Sequence, residues 1–336
     1  MKHFFLSVLL IALFTILISC NNNSTEPELQ QGRRDYVWTR DTLRADQFGF
    51  QSLTSIWGSS PNDVWIVGDA ATYVNKIWHY DGTKWKNYLL DQYAEPISVH
   101  GISSSEIWMV TTESDVWKYD GIKWSKFTTI VPDGYKRILF EDIYGYRNNL
   151  YAVGIAEKQD GDYTGVIVHY NGSKWEVLNT YKIKEYFVRV KFLERGDILI
   201  YSQNYLEPHE PSRLYKYKDG SLTLLRKSNL GIFCEILNNG IYISTDKKIY
   251  EYKDGSLVET INLTDTKYIG GLWGHTISDF FCTNDGWNLG HYNGTDLVNI
   301  YQAEGFINDI QLFDKDVFVI CHVLGSVYYA LHGKLN

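Results

Sequence analysis

Ile77-Trp78-His79-Tyr80-Asp81-Gly82-Thr83-Lys84-Trp85 is the stretch from which the rest of the chain can be read. It recurs as Val116-Trp117-Lys118-Tyr119-Asp120-Gly121 before Trp124, and as Ile167-Val168-His169-Tyr170-Asn171-Gly172 before Trp175. Looser copies are Leu214-Tyr215-Lys216-Tyr217 with Asp219-Gly220, Ile249-Tyr250-Glu251-Tyr252 with Asp254-Gly255, and His291-Tyr292-Asn293-Gly294. Alternation of apolar and polar side chains marks the first half of each copy as a strand. The Asp-Gly or Asn-Gly pair supplies the positive backbone angle of a tight hairpin turn. The Trp then opens another strand.

Two further strand-like segments precede each copy. In the first unit they are Ser55-Ile56-Trp57-Gly58 and Asp63-Val64-Trp65-Ile66-Val67-Gly68. Ser98-Val99-His100-Gly101 and Glu106-Ile107-Trp108 open the second, Asp142-Ile143-Tyr144-Gly145 and Asn149-Leu150-Tyr151 the third. A seventh unit has Asp309-Ile310-Gln311, Asp316-Val317-Phe318 and Val327-Tyr328-Tyr329, then stops soon after Gly333 without a fourth strand. Seven units of roughly 36 to 48 residues, each with four strand segments, define a β-propeller. The expected fold is therefore all-β, a seven-bladed β-propeller with four-stranded antiparallel blades over residues 36–336. Residues 36–43, Tyr-Val-Trp-Thr-Arg-Asp-Thr-Leu, form an orphan strand expected to complete the last blade and close the ring.

Composition agrees. The 336 residues include 26 Tyr, 15 Phe and 11 Trp, types that suit pleated, half-buried surfaces. Net charge is −8 and no basic stripe stands out, which argues against nucleic acid as a partner.

The N-terminus reads as an address. Met1-Lys2-His3 precedes an apolar run from Phe4 to Ile18, closed by Ser19-Cys20, the pattern of a secretory signal peptide. The run is short for a membrane-spanning helix. Leu17-Ile18-Ser19-Cys20 resembles the lipobox of bacterial lipoproteins. The resemblance implies cleavage of a signal peptide at 1–19, lipidation of Cys20, and attachment to the membrane through the lipid alone. Residues 20–35 read as the lipidated Cys and a polar tether. Asn21, rather than Asp, after the Cys implies sorting to the outer membrane within the cell envelope. The other cysteines, Cys234, Cys282 and Cys321, sit in apolar runs and read as buried small hydrophobes, with one disulfide as the alternative.

The Trp-Gly, apolar–Trp and Tyr-Asp-Gly-x-x-Trp pattern resembles kelch-like and Asp-box-like propeller repeats of secreted bacterial proteins. His79 to Trp85 differs from the sialidase-type Asp box in spacing, and His79 stands where that box has Ser or Thr. The resemblance implies the fold and not sialidase activity.

Residues at repeated positions are expected to be structural: His79, His169 and His291 in the blades, and Asp81, Asp120, Asp254 and Asn171 in turns. Departures from the repeat carry the functional candidates. Loops 156–165 and 202–213 are long and belong to neighbouring blades on one face, where Tyr163, Tyr205, His209 and Arg213 are the candidates to contact a glycan or a protein, the alternative being that both loops are solvated insertions. Asp160 and Asp162 flank Gly161 and make calcium conceivable, although the twelve-residue loop with a closing Glu is missing. Trp57, His100, Tyr144, Phe192 and Trp273 lie at related places on the innermost strands, where such rings fill the core between blades or face the channel; Trp57 and Trp273 are the candidates for stacking on a ligand. No metal motif, cofactor fingerprint or catalytic motif is present. The expected function is an envelope-anchored binding module for an envelope or extracellular protein or a glycan. Rival readings are a glycosidase or lyase with carboxylates, or a His–Tyr–Arg group, converging at the channel mouth, and a purely structural subunit.

Overall fold

The computed structural model describes residues 32–44, 49–178, 183–192, 198–203, 210–323 and 327–336. The strands form seven four-stranded sheets, each antiparallel and each in sequential order except the last blade. Their innermost strands are Gln51–Ser60, Pro96–Ser103, Arg137–Tyr146, Phe187–Phe192, Phe233–Leu237, Tyr268–Thr276 and Phe306–Leu312. These open blades one to seven in turn. Apolar clusters fill the gaps between neighbours; one joins Trp108 of blade two to Ile143, Leu150 and Tyr170 of blade three. A single blade cannot bury both faces, so the ring is the smallest unit with a complete core.

The ring closes as the orphan strand requires. Tyr36–Thr42 pairs antiparallel with Val327–Leu335, from Tyr36 opposite Leu335 to Thr42 opposite Tyr329. It forms the outer strand of blade seven. Trp38 lies over Gly333, where a Cβ would fall 2.6 Å from its ring. Arg34 and Arg40 pair with Asp296 and Glu304, each at 2.8 Å, and so tie this strand to blade six and the segment after it. Closure leaves no open inter-blade gap.

The repeated histidines belong to a structural device. His79 stacks on Trp65 at 4.0 Å and bonds Asp63 at 2.8 Å. His332 stacks on Phe318 and bonds Asp316; His291 packs on Phe281 and bonds Asp279. In blade three His169 stacks on Tyr151 and bonds Asn149. Blade two substitutes Lys118, whose ammonium lies over Trp108 and pairs with Glu106 at 2.8 Å. In these five blades the third strand thus lays a polar side chain across an aromatic ring of the second, reaching the acid or amide that opens it. The three inner cysteines are unpaired, with Cys282 and Cys321 buried and Cys234 partly so.

Candidate functional site

The inner strands enclose a cavity of about 570 Å³ on the ring axis. Two registers of side chains face it. One holds Trp57, His100, Tyr144, Lys191, Glu235, Trp273 and Gln311, each opposite the large residue of the second strand (Trp65, Trp108, Tyr151, Leu199, Tyr242, Phe281 and Phe318). The other lies two residues upstream: Ser55, Ser98, Asp142, Arg189, Phe233 and Asp309, with Gly271 at that place in blade six.

Trp57 and Trp273 both line the cavity. Trp57 also covers Gly101 of blade two, where a Cβ would fall 2.3 Å from its ring. Trp273 donates its indole N–H to Asp309 at 3.1 Å. Phe192 is not their counterpart. It is buried between blades, and Lys191, one residue earlier, takes that register. In blade four the expected aromatic is therefore a cation.

Lys191 donates to both carboxylate oxygens of Glu235 at 3.0 Å and lies over the Tyr144 ring at 4.6 Å. Burial works against its charge, but Glu235, Tyr144 and Asp142 together outweigh that and raise its pKa above the ordinary lysine value. Burial raises Asp142 and Asp309, while Arg189 pulls both the other way. His100, held by the Gly145 carbonyl at 2.8 Å, is lowered by burial to about 4 and is neutral at pH 7. Burial also lifts Tyr144, and it lifts the Cys234 thiol to about 12. The channel therefore does gather a His, a Tyr, an Arg and several carboxylates. A base this weak and a phenol this reluctant to ionise suit holding a ligand better than moving a proton.

The long loops present a different picture. Asp162 pairs with Lys158 at 3.0 Å and Lys184 at 3.4 Å, and its N–H is accepted by Asp160. Tyr163 is buried and packs edge-on against Tyr186. Arg213 is held by Glu185 and Glu210. Glu185 also accepts from Ser202 and Tyr215. Segment 183–186 thus gathers Asp162, Tyr163 and Arg213 into one strip, largely satisfied by its own partners. Among the described residues no three His, Cys, Asp or Glu side chains gather as metal ligands. Tyr205, His209 and Cys20 lie outside the described residues.

Sequence reading missed Arg189, Lys191, Glu235, Asp142 and Asp309 as channel residues. The signal was present: Arg189 and Lys191 break the Ser/Asp-x-aromatic pattern of the inner strand that units one to three set.

The architecture defines a seven-bladed propeller with a polar, aromatic-walled channel. No protein-family model matches the sequence, and comparison with curated proteins finds no match. Among solved structures the chain is similar to "YCF48 bound to D1 peptide", with TM-score 0.63 and 13% identity over 89% of this chain and 97% of that one. It is also similar to "YCF48 from Cyanidioschyzon merolae", with TM-score 0.58 and 13% identity over 88% and 98%. At this identity the likeness shows the fold alone.

Proposed function

We propose that this chain is a lipid-anchored envelope protein whose propeller binds a protein partner at the channel mouth on the face of the inter-blade connections. The observation that carries the reading is the channel itself: a cavity of about 570 Å³ lined by Trp57, Trp273, Arg189, Lys191 and Glu235. Concave sites with a few convergent polar groups are the usual places of recognition. That a similarly folded propeller is described as bound to a peptide supports a protein segment over a glycan as the ligand. Anchoring rests on the lipobox ending at Cys20 and the polar tether after it.

Site-specific photocrosslinking tests the binding reading. A photoreactive residue in place of Phe233, at the mouth, should capture a discrete envelope partner, and one in place of Ile122, on an exposed turn of the opposite face, should not. Equal capture from both positions would refute it. Incorporation of labelled palmitate that disappears in Cys20→Ser tests the anchor.

A further inference from the structure

The inner strands answer one another in a set pattern, and the pattern fails in one arc. The Ile56 N–H donates to the Asp309 carboxylate at 3.2 Å, and the Val99 N–H to Ser55 Oγ at 3.2 Å. The Ile143 N–H donates to Ser98 Oγ at 3.3 Å, and the Val190 N–H to the Asp142 carboxylate at 3.0 Å. Each acceptor comes from the preceding blade, at one fixed register. In blade four that residue is Arg189, which has donors only. Blade four therefore offers no such acceptor to the Cys234 N–H, although Cys234 stands opposite Ile243 as Val190 stands opposite Ile200. Blade five has Phe233 at the register. Blade six has Gly271, whose φ of +78° and closeness to the Trp273 ring (2.1 Å from a built Cβ) leave no room for a clasping side chain.

Arg189 lines the cavity at the blade-four end of this arc. Its charge acts on Asp142 in blade three and on Asp309 in blade seven, the two ends of the gap. Phe233 lines the cavity and is 40% exposed, and Gly270 of blade six lies against its ring.

We infer that the inner arc of blades four to six is a carboxylate-binding subsite, in which Arg189 and the Cys234 N–H donate to a carboxylate of the partner while an adjoining apolar side chain packs on Phe233. The inference rests on the protein-binding reading above and specifies its chemistry. The fold itself supplies the precedent: Asp142 and Asp309 place carboxylates on the equivalent N–H groups of blades four and one. Those two carboxylates, with Glu141, also face Arg189 but sit at the ends of the arc, and two of the three already accept backbone N–H donors. Glu235 is taken up by Lys191. A charge-assisted bond to Arg189 is the stronger contribution and the aromatic wall the weaker.

The test titrates the full chain with 3-phenylpropionate and with its neutral isostere, 3-phenylpropionamide, by calorimetry. The acid should bind about tenfold more tightly than the amide, and Arg189→Met should abolish the difference. Phe233→Asp sets the clasp's own carboxylate beside the Leu272 N–H. It should keep the melting temperature and lose the acid. Two dipeptides separate the sources: N-acetyl-Glu-Phe-amide carries its carboxylate on a side chain, and N-acetyl-Ala-Phe carries it at the chain end. A preference for either over N-acetyl-Ala-Phe-amide supports the subsite and names the source. Equal binding of acid and amide, or a preference that survives Arg189→Met in a folded protein, overturns it. Should crosslinking still find a partner at the mouth, only the carboxylate assignment falls.

Discussion

Blades one to three and seven are built on one plan, blades four and five on another. In the first group a His or Lys lies across an aromatic ring of the second strand. Where these blades have a third-to-fourth turn, an Asp or Asn side chain accepts the N–H groups two and three residues on, as Asp81 does from Thr83 and Lys84 at 3.0 Å. In the second group Glu251 replaces the His, and the turns are two-residue hairpins. Asp219-Gly220 and Asp254-Gly255 all have positive φ, the mirror-image turn that matches strand twist. The inner strands of blades seven, one, two and three each clasp the next blade; that of blade four does not. The difference teaches that the polar device is not uniform around the ring: between blades four and five the clasp gives way to apolar packing and the Lys191–Glu235 pair. Freed from clasping, their inner strands carry the exceptional channel groups: Arg189, Lys191, Glu235 and Phe233.

The largest expected effect concerns the seam, which lies in the first group. Deleting residues 36–43 removes a whole strand ladder and exposes the core it covers around Phe281 and Tyr329. The cost should approach the total stability of a domain, about 5–15 kcal/mol. Circular dichroism should show no cooperative melt. An unchanged transition would mean that the seam contributes nothing and that closure is not what stabilises the ring.

Next comes the Lys191–Glu235 pair, which joins blades four and five where no clasp exists. Lys191→Met leaves Glu235 in the channel without its cation and should cost about 3–5 kcal/mol. The double variant Lys191→Met/Glu235→Met should recover most of that loss, because a half-buried ion pair stabilises little over an apolar pair. Urea titrations of the three proteins decide it. A double variant as unstable as the single one would show that the pair itself holds the two blades together.

Much of this architecture is legible in the sequence, because it repeats. Tyr80, Tyr119 and Tyr170 announce one register, and Asp-Gly or Asn-Gly marks each turn. The missing fourth strand of unit seven and the spare strand at 36–43 imply each other. The channel was less legible for a physical reason. Blade four keeps the alternation of a strand while exchanging aromatic for cation, so hydrophobic pattern alone slid the alignment by one residue, to Phe192. Only the pairing of Lys191 opposite Leu199 fixes it. Length marks the loop candidates, but length does not reveal that Glu185 already engages Arg213 and that Tyr163 is buried under its neighbours.

His100 gives a smaller, pH-dependent effect on the clasped side. Its pKa falls from an ordinary 6.5 to about 4, first because of burial, with Lys191 acting in the same direction. A group lowered on folding lends stability above its unfolded pKa and loses it as pH falls toward the folded one. The loss should develop between pH 6.5 and 4 and reach at most about 3 kcal/mol. Asp142 and Asp309, both raised by burial, change stability in the opposite sense as they take up protons. His100→Gln should therefore flatten the acid limb, or reverse it, in melting temperature against pH. An unaltered limb would assign acid sensitivity to other groups.

The smallest effect tests the clasp most directly. Ser55→Ala removes the acceptor of the Val99 N–H and should cost about 1 kcal/mol. In amide hydrogen exchange the Val99 amide should lose protection while that of Val190, still held by Asp142, keeps it. Among the described residues no neighbouring side chain accepts the wild-type Cys234 N–H. It should exchange as fast as Val99 does in the variant, and its rate should not respond to Ser55→Ala. Should Cys234 prove as protected as Val190 in the wild type, an acceptor already fills the arc. The contrast between the two halves of the ring would then be one of sequence only, and the place assigned to a partner's carboxylate would be taken.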